Sequence, residues 1–407
     1  MTHAGERAGL AARNASTAGR VQAKATYTVL QVTPALDAGG VERTTIEVAE
    51  ALTRHGSRAL VASRGGRLEG ELVAAGGQFF PMALETKNPL EIYANAAKLA
   101  TLAREQRVDI IHARSRAPAW SALWAARRLK LPFVTTYHGV YNANSAPKRW
   151  YNSVMARGDV VIANSDFTRA HVMREHKVSA DRIVSIPRGV DLARFDPAAI
   201  DPSRVATMRQ LWGLAPFDTR PVVLLPARLT HWKGQTVLIE AAAILEKERS
   251  GSAVYVLAGD SQGRQQYVAD LHELARKRGV EHAVKIVGHL VDMPAALAAA
   301  TVAVFPSTDA EAFGRAAVEA QAMGVPVVAS NMGGLAETIV DGDSGFLTPP
   351  GDARRLAFAV DRVLALSPEQ RKNMGERGAA RVRARYSVGA LQTATLQVYE
   401  RLLKGRR

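Results

Sequence analysis

From Tyr27 onward the sequence switches between short runs rich in Val, Ile, Leu and Thr and longer stretches of helical composition, and it does so in two series. Strands separated by helices cannot pair as hairpins; each returns through a crossover and lies parallel to its neighbour. The first series runs through YTVLQVT, the helical Val41 to His55, Arg58 to Ser63, IIHA, FVTTYH, DVVIAN and RIVSIP. The second begins with PVVLLPA at Pro221 and continues through SAVYVLAG, AVKIVG, TVAVFPS and VPVVAS. Between them, Asp196 to Asp218 carries prolines at 197, 202 and 216 without a strand pattern and reads as a hinge. The chain of 407 residues is too long for one ordinary core, so the pattern predicts two α/β domains with doubly wound parallel sheets of Rossmann type. The expected boundaries are a disordered tail over 1–26, a first domain over 27–210 and a second over 218–386, followed by helical stretches that include Ser387 to Leu403.

Composition removes several classes. With no cysteine there are neither disulfides nor thiolate metal sites. No apolar run reaches the roughly 18 residues of a membrane span, and residues 1–26 lack the apolar core of an export signal, which suits a cytoplasmic chain. A formal charge of +15 favours anionic partners such as nucleotides or an anionic lipid surface. Nucleic acid is disfavoured: aromatics are only 6% and do not alternate with the basic clusters as stacking platforms would. In Lys148, Arg149, Trp150 and Tyr151 cations and aromatics do adjoin. That cluster reads either as a segment for the membrane interface or as a helix start after Pro147 with its aromatics in the core.

The densest set of site signals is Asp309 to Ser330, DAEAFGRAAVEAQAMGVPVVAS. Thr301 to Pro306 reads as a strand, Phe313 to Met323 as a helix stopped by Gly324, and Pro326 to Ala329 as the next strand. Glu311 then falls in the loop at the carboxyl end of a strand, and Glu319 about two turns into the helix. Open α/β sheets bind ligands at those strand ends. The helix start from Ala312 through Phe313 and Gly314 offers backbone N–H groups to a diphosphate. Carboxylates accept from paired hydroxyls, so Glu311 is read as facing a sugar and Glu319 a ribose; alternatively both are solvated acids favoured by the helix dipole.

Four further clusters sit at predicted strand ends. Gly39 and Gly40, within Asp37 to Glu42, follow the first strand, where glycines allow close backbone approach to a ligand. Arg228 and Lys233, in PARLTHWKGQ, are placed to bracket a diphosphate and stabilise it as it leaves. His138, in TTYHGVY, stands at the mouth of the expected cleft. Asp341, Gly342 and Asp343 read as a turn rather than a metal-binding DxD, which argues for a metal-independent site.

Together, the two glutamates seven residues apart in EAFG and its helix, ARLTHWKG, the GGVER turn, the IPRGVDLARFDP segment, GGLAETI and DGDSGFL resemble the family 4 glycosyltransferases of the GT-B fold, over nearly the whole chain. The resemblance implies two Rossmann-like domains facing across a cleft, with a final helix over 387–407 crossing back to the first, acceptor-binding domain. It implies retaining, front-face transfer of a sugar from a nucleotide-diphosphate sugar to a glycan or glycolipid acceptor, with no cofactor and with UDP or GDP as the expected nucleotide. By the same resemblance His138 orients the donor sugar and the acceptor hydroxyl, and the backbone at His289 and Leu290 reads the base. Arg315 departs from the usual aliphatic residue beside the sugar pocket. Arg114, Arg116, Lys148 and Arg149 would form a basic acceptor rim. Phosphorylated or acidic glycolipids suit that rim, as in lipopolysaccharide or surface-polysaccharide synthesis at the inner face of the cytoplasmic membrane. A nucleotide-sugar epimerase or phosphorylase of the same architecture, or a non-catalytic basic binding protein, are the alternatives.

Overall fold

The computed structural model describes residues 27–405 apart from 38, 142–143, 250 and 252; the tail expected over 1–26 lies outside the described residues. The first sheet holds β1 (Thr28–Val32), β2 (Arg58–Ser63), β3 (Gln78–Pro81), β4 (Ile110–Ala113), β5 (Phe133–Tyr137), β6 (Val160–Ala163) and β7 (Ile183–Ser185). Their order is β3-β2-β1-β4-β5-β6-β7, and the pairs are parallel. The second sheet holds β8 (Val222–Pro226), β9 (Val254–Ala258), β10 (Val284–Gly288), β11 (Val302–Phe305), β12 (Val327–Ser330) and β13 (Gly345–Thr348). It is also parallel, in the order β10-β9-β8-β11-β12-β13.

Helices cover both faces of each sheet, so the central strands are buried on both sides and read as continuous apolar runs rather than alternations. In both sheets the strand order reverses beside the first strand of the series, between β1 and β4 and between β8 and β11. The loops leaving those four strands carry the Gly39–Gly40 turn, Arg114 to Arg116, Arg228 to Lys233 and Ser307 to Gly314, so the fold gathers the expected site at two switch points.

The interval read as a hinge is structured. Pro197 opens a short 3₁₀ turn and Pro202 is the first residue of a helix, Pro202–Leu211, capped by Asp201. The prolines mark starts here, because the first turn of a helix has no use for the missing N–H. Met208 and Trp212 lie in the second domain's core with Val222, Leu224 and Phe305, which places this helix with the second domain and not, as the boundary at 210 expected, with the first.

The helix Val388–Lys404 lies against the helix Gly40–Arg54 of the first domain. Gln392 Nε2 donates to Glu47 O at 2.8 Å and to Glu50 Oε2 at 3.0 Å, and Tyr399 OH is 2.6 Å from His112 Nδ1. The two strands of chain that link the domains run side by side: Val190 N donates to Tyr386 O and Val388 N to Val190 O. A Cβ on Gly189 would collide with the Val388 backbone, so glycine is what lets the links touch.

Candidate active site

The second domain's half of the site is built around a backbone contact. Gly234, at φ +76°, ends the 3₁₀ turn His231–Lys233 and sits against Pro306 O, where a Cβ would have no room. That contact fastens the loop after β8 to the loop after β11. Lys233 Nζ consequently lies 2.7 Å from Glu311 Oε2, and Ser307 Oγ donates to Glu311 Oε1 at 2.5 Å. Both charged side chains are largely shielded from solvent. Burial drives the Lys233 ammonium below its ordinary value, and the Glu311 carboxylate opposes that shift. Arg228 is exposed beside this pair, with Nη1 3.5 Å from Gln262 Oε1, free to reorient toward an anion.

Gly314, at φ +84°, starts the helix Arg315–Ala322, which has no side-chain cap, so its first N–H groups remain open to a ligand. Ala312 contributes its backbone there, while the Phe313 ring is buried against Tyr386 and anchors the loop. Glu319 lies one turn along the helix, not two, its carboxyl raised by burial and partly restored by Arg315, whose Nε donates to Glu319 Oε1 at 2.9 Å. Arg315 is thus engaged by Glu319 one turn away on the same helix. After β10, His289 is exposed and Leu290 is packed into the core.

Across the cleft, Gly39 precedes the helix Gly40–Arg54, which likewise has no side-chain cap. His138 follows β5; its carbonyl accepts from Asn164 Nδ2 at 3.0 Å, and its Nδ1 is 3.4 Å from Arg188 Nη2. Burial holds the imidazole well below the usual histidine range, with Arg188 and Arg114 adding to the effect. His138 is therefore neutral at physiological pH and suited to orienting hydroxyls.

The expected acceptor rim divides. Arg114 is not on the rim: it is 2% exposed, and its Nε and Nη2 donate to Gln31 Oε1 at 2.9 and 2.5 Å beneath His138. It follows β4 at the sheet centre, where a side chain turned inward has no route to solvent. Arg116 does face the cleft side, its guanidinium 4.1 Å over the Tyr141 ring and its Nη1 2.9 Å from Asn152 Oδ1. Lys148 and Arg149 are exposed on the helix Ala146–Asn152. In the same helix Trp150 is 59% exposed and stacks on Trp120 at 4.5 Å, so it is not a core residue. Asp341 and Asp343 serve their turn, Asp341 accepting from Leu347 N and Asp343 pairing with Arg377. Among the described residues no group of three His, Cys, Asp or Glu is arranged to hold a metal ion.

Three participants carried no assigned role in the sequence. Ser307 fixes Glu311, and Arg188 lies over Gly40. Glu337, in GGLAETI, reaches from the second domain to the start of the helix Asp166–His176 in the first, accepting from Asp166 N at 2.9 Å and from Phe167 N. Gly333 and Gly334 pack so closely on the Glu311 and Ala312 backbone that a Cβ on either would clash. A second Gly-Gly pair after a strand was the available signal for that contact.

Residues 209–381 match the family model described as glycosyl transferases group 1, and residues 38–194 match that of glycosyltransferase family 4. A D-inositol 3-phosphate glycosyltransferase of Jonesia denitrificans is 30% identical over 310 residues, 72% of each chain. A second such enzyme, from Catenulispora acidiphila, is 35% identical over 262 residues, which span 63% of this chain and 59% of that one. Among solved structures, a glycosyltransferase from Rickettsia africae ESF-5 superposes with a TM-score of 0.86 at 35% identity, covering 93% of this chain and 99% of that one. The Anabaena protein HepE, solved with UDP and glucose, superposes at 0.76 with 26% identity, covering 91% and 99%. The two facing Rossmann-like domains agree with these likenesses, and the chain belongs to the group 1, family 4 glycosyltransferases of the GT-B fold.

Proposed function

We propose that the chain transfers a hexose from a UDP-sugar to a hydroxyl of a phosphate-bearing acceptor, with retention of anomeric configuration and without a metal ion. The observation that carries this reading is the pair of carboxylates on either side of one open helix start: Glu311 fixed by Lys233 and Ser307, and Glu319 shielded beside Arg315. Glu311 accepts from donor-sugar hydroxyls, Glu319 from the ribose, and the N–H groups after Gly314 with Lys233 and Arg228 take the diphosphate. The leaving phosphate oxygen removes the acceptor proton while Lys233 and Arg228 balance the charge that grows on it, and neutral His138 orients the reacting hydroxyls. UDP is favoured over GDP by the similarity to a protein solved with UDP and with UDP-glucose.

The curated relatives named above are D-inositol 3-phosphate glycosyltransferases, which favours a small phosphorylated polyol over the lipopolysaccharide acceptor expected from the basic rim. A lipid-linked phosphate acceptor is the second reading. It is favoured by the exposed Tyr93, Trp124 and Trp150, joined through Trp120 into one aromatic row, with Arg157 over the Trp120 ring and Lys148 and Arg149 adjoining. Such a row suits peripheral contact with an anionic membrane from the cytoplasmic side. No helix among the described residues is long and apolar enough to cross one.

Thermal unfolding with UDP, GDP, ADP and their sugar conjugates tests the donor assignment. A ligand at about a hundred times its Kd adds about 2.7 kcal/mol to native stability. UDP is expected to raise Tm in the wild type and to lose that effect in Glu319→Ala. An equal shift in the variant would remove the ribose role, and no shift with any nucleotide in the wild type would overturn the donor reading.

A further inference from the structure

Arg188, in the IPRGVDLARFDP segment, has surroundings that are incomplete for a cation. Its guanidinium occupies the space above Gly40 that a side chain would fill, so a Cβ there would run into Nη1. Nε is buried and has no hydrogen-bond partner among the described residues. Glu42 and Glu47 lie near enough to act on its charge, yet neither forms an ion pair with it among the described residues, and Arg315 opposes it from the other domain. Burial pushes its pKa down to about 10. Directly beneath it, the helix Gly40–Arg54 presents its first N–H groups with no side-chain cap, and His138 is 3.4 Å away. A guanidinium whose Nε is buried without a partner, over an uncapped helix start, is an arrangement short of one anion.

We infer that Arg188 and the start of the Gly40–Arg54 helix form a phosphoryl-binding site on the first domain's side of the cleft, opposite Arg228 and Lys233. This rests on the proposed transfer from a nucleotide-diphosphate sugar, with the Gly39–Gly40 turn as the place where backbone approaches the ligand from the first domain. The phosphoryl group belongs either to the donor's diphosphate or to the acceptor. A purely structural Arg188, holding the turn against Glu47, is the competing account.

The test is calorimetric titration of wild type, Arg188→Ala and Arg188→Lys, with Tm recorded for each. UDP and UMP differ by the β-phosphate, and inorganic phosphate added to the UDP-saturated protein probes a second phosphoryl position. If the group is the donor's, Arg188→Ala weakens UDP by roughly tenfold to a hundredfold and UMP much less, the effect of losing a charge-assisted contact. If it is the acceptor's, UDP is unchanged and phosphate binding to the UDP complex is lost. In either case Arg188→Lys, which keeps charge without the planar fork, retains part of the affinity. Arg188→Ala that is folded and matches the wild type in both titrations overturns the inference, as does Arg188→Lys doing so if the alanine variant does not fold. A wild type that binds no UDP discredits the donor reading instead; inorganic phosphate titrated into ligand-free wild type and variant then decides the Arg188 site alone, equal binding overturning it.

Discussion

Replacing Glu337 by alanine isolates the contact between the domains, because its two partners are backbone N–H groups that the substitution leaves in place. The carboxylate accepts from Asp166 N at 2.9 Å and from Phe167 N, at the start of a helix whose dipole favours a negative charge there. Hydrogen bonds to a charged group contribute about 1.5 to 3 kcal/mol each. Two offsets reduce that: Glu337 is only partly buried, and its raised pKa has desolvation as the largest cause, so the fold discourages the charge it uses. Ser165 also still caps Thr168 N in the variant. A net loss of about 2 kcal/mol is expected, or about a thirtyfold change in an equilibrium constant. Amide hydrogen exchange at Asp166 and Phe167 reads it directly, and both are expected to exchange about thirtyfold faster in Glu337→Ala, while amides of β5 and β11 keep their rates. Unchanged exchange at Asp166 and Phe167 would refute the reasoning, since no other change can restore those acceptors from the same side chain.

Two further outcomes follow from groups described above. His112 is buried between Tyr399 OH and Thr136 Oγ1, and burial holds its pKa well below the usual 6.5. A histidine with a lowered folded pKa supports folding above the unfolded value, and this support is lost as pH falls through the window below 6.5, at up to about 1.4 kcal/mol per pH unit. Denaturant unfolding of wild type and His112→Gln should therefore show the wild type's advantage shrinking from pH 7.5 to 5.5; a constant difference would contradict the neutral buried imidazole. At the aromatic row, the double substitution Arg149→Glu, Trp150→Ser is expected to reduce sedimentation with anionic liposomes at low salt several-fold, since each basic residue near such a surface contributes about 1 kcal/mol. Equal sedimentation would remove the membrane reading.

The two parallel sheets were readable because each strand is a short β-branched run enclosed by helices, and the site because ligand-facing loops must follow the strands at the switch points. Glu311, Lys233 and the Gly39–Gly40 turn stand at such ends, and Glu319 lies in the helix that follows one of them. What did not read out were contacts between distant parts of the chain. Arg114 and Arg116 look equivalent two residues apart, yet the first turns under the sheet to Gln31 and the second lies over Tyr141. Trp120, Trp150 and Arg157 are scattered in sequence and stack only in the fold, so the absence of interleaving in the linear pattern was a poor guide to the surface. The interval 196–218 misled because proline was weighed as a breaker, although at the first position of a helix it is a starter.

The return of the helix Val388–Lys404 to the first domain bears on the order in which the protein is made. The second sheet is complete within one continuous segment and can close as soon as that segment has left the ribosome. The first sheet has all its strands much earlier, but Leu391, Val398 and Tyr399 fill its outer core beside Val29, Ile46 and Val134. Until those residues are synthesised, that face of the older domain stays open, with His112 lacking its tyrosine partner. The domain translated first is thus finished only after the second, and a chain cut short after Ser387 keeps the second core, with Val382 and Tyr386, while one face of the first stays exposed.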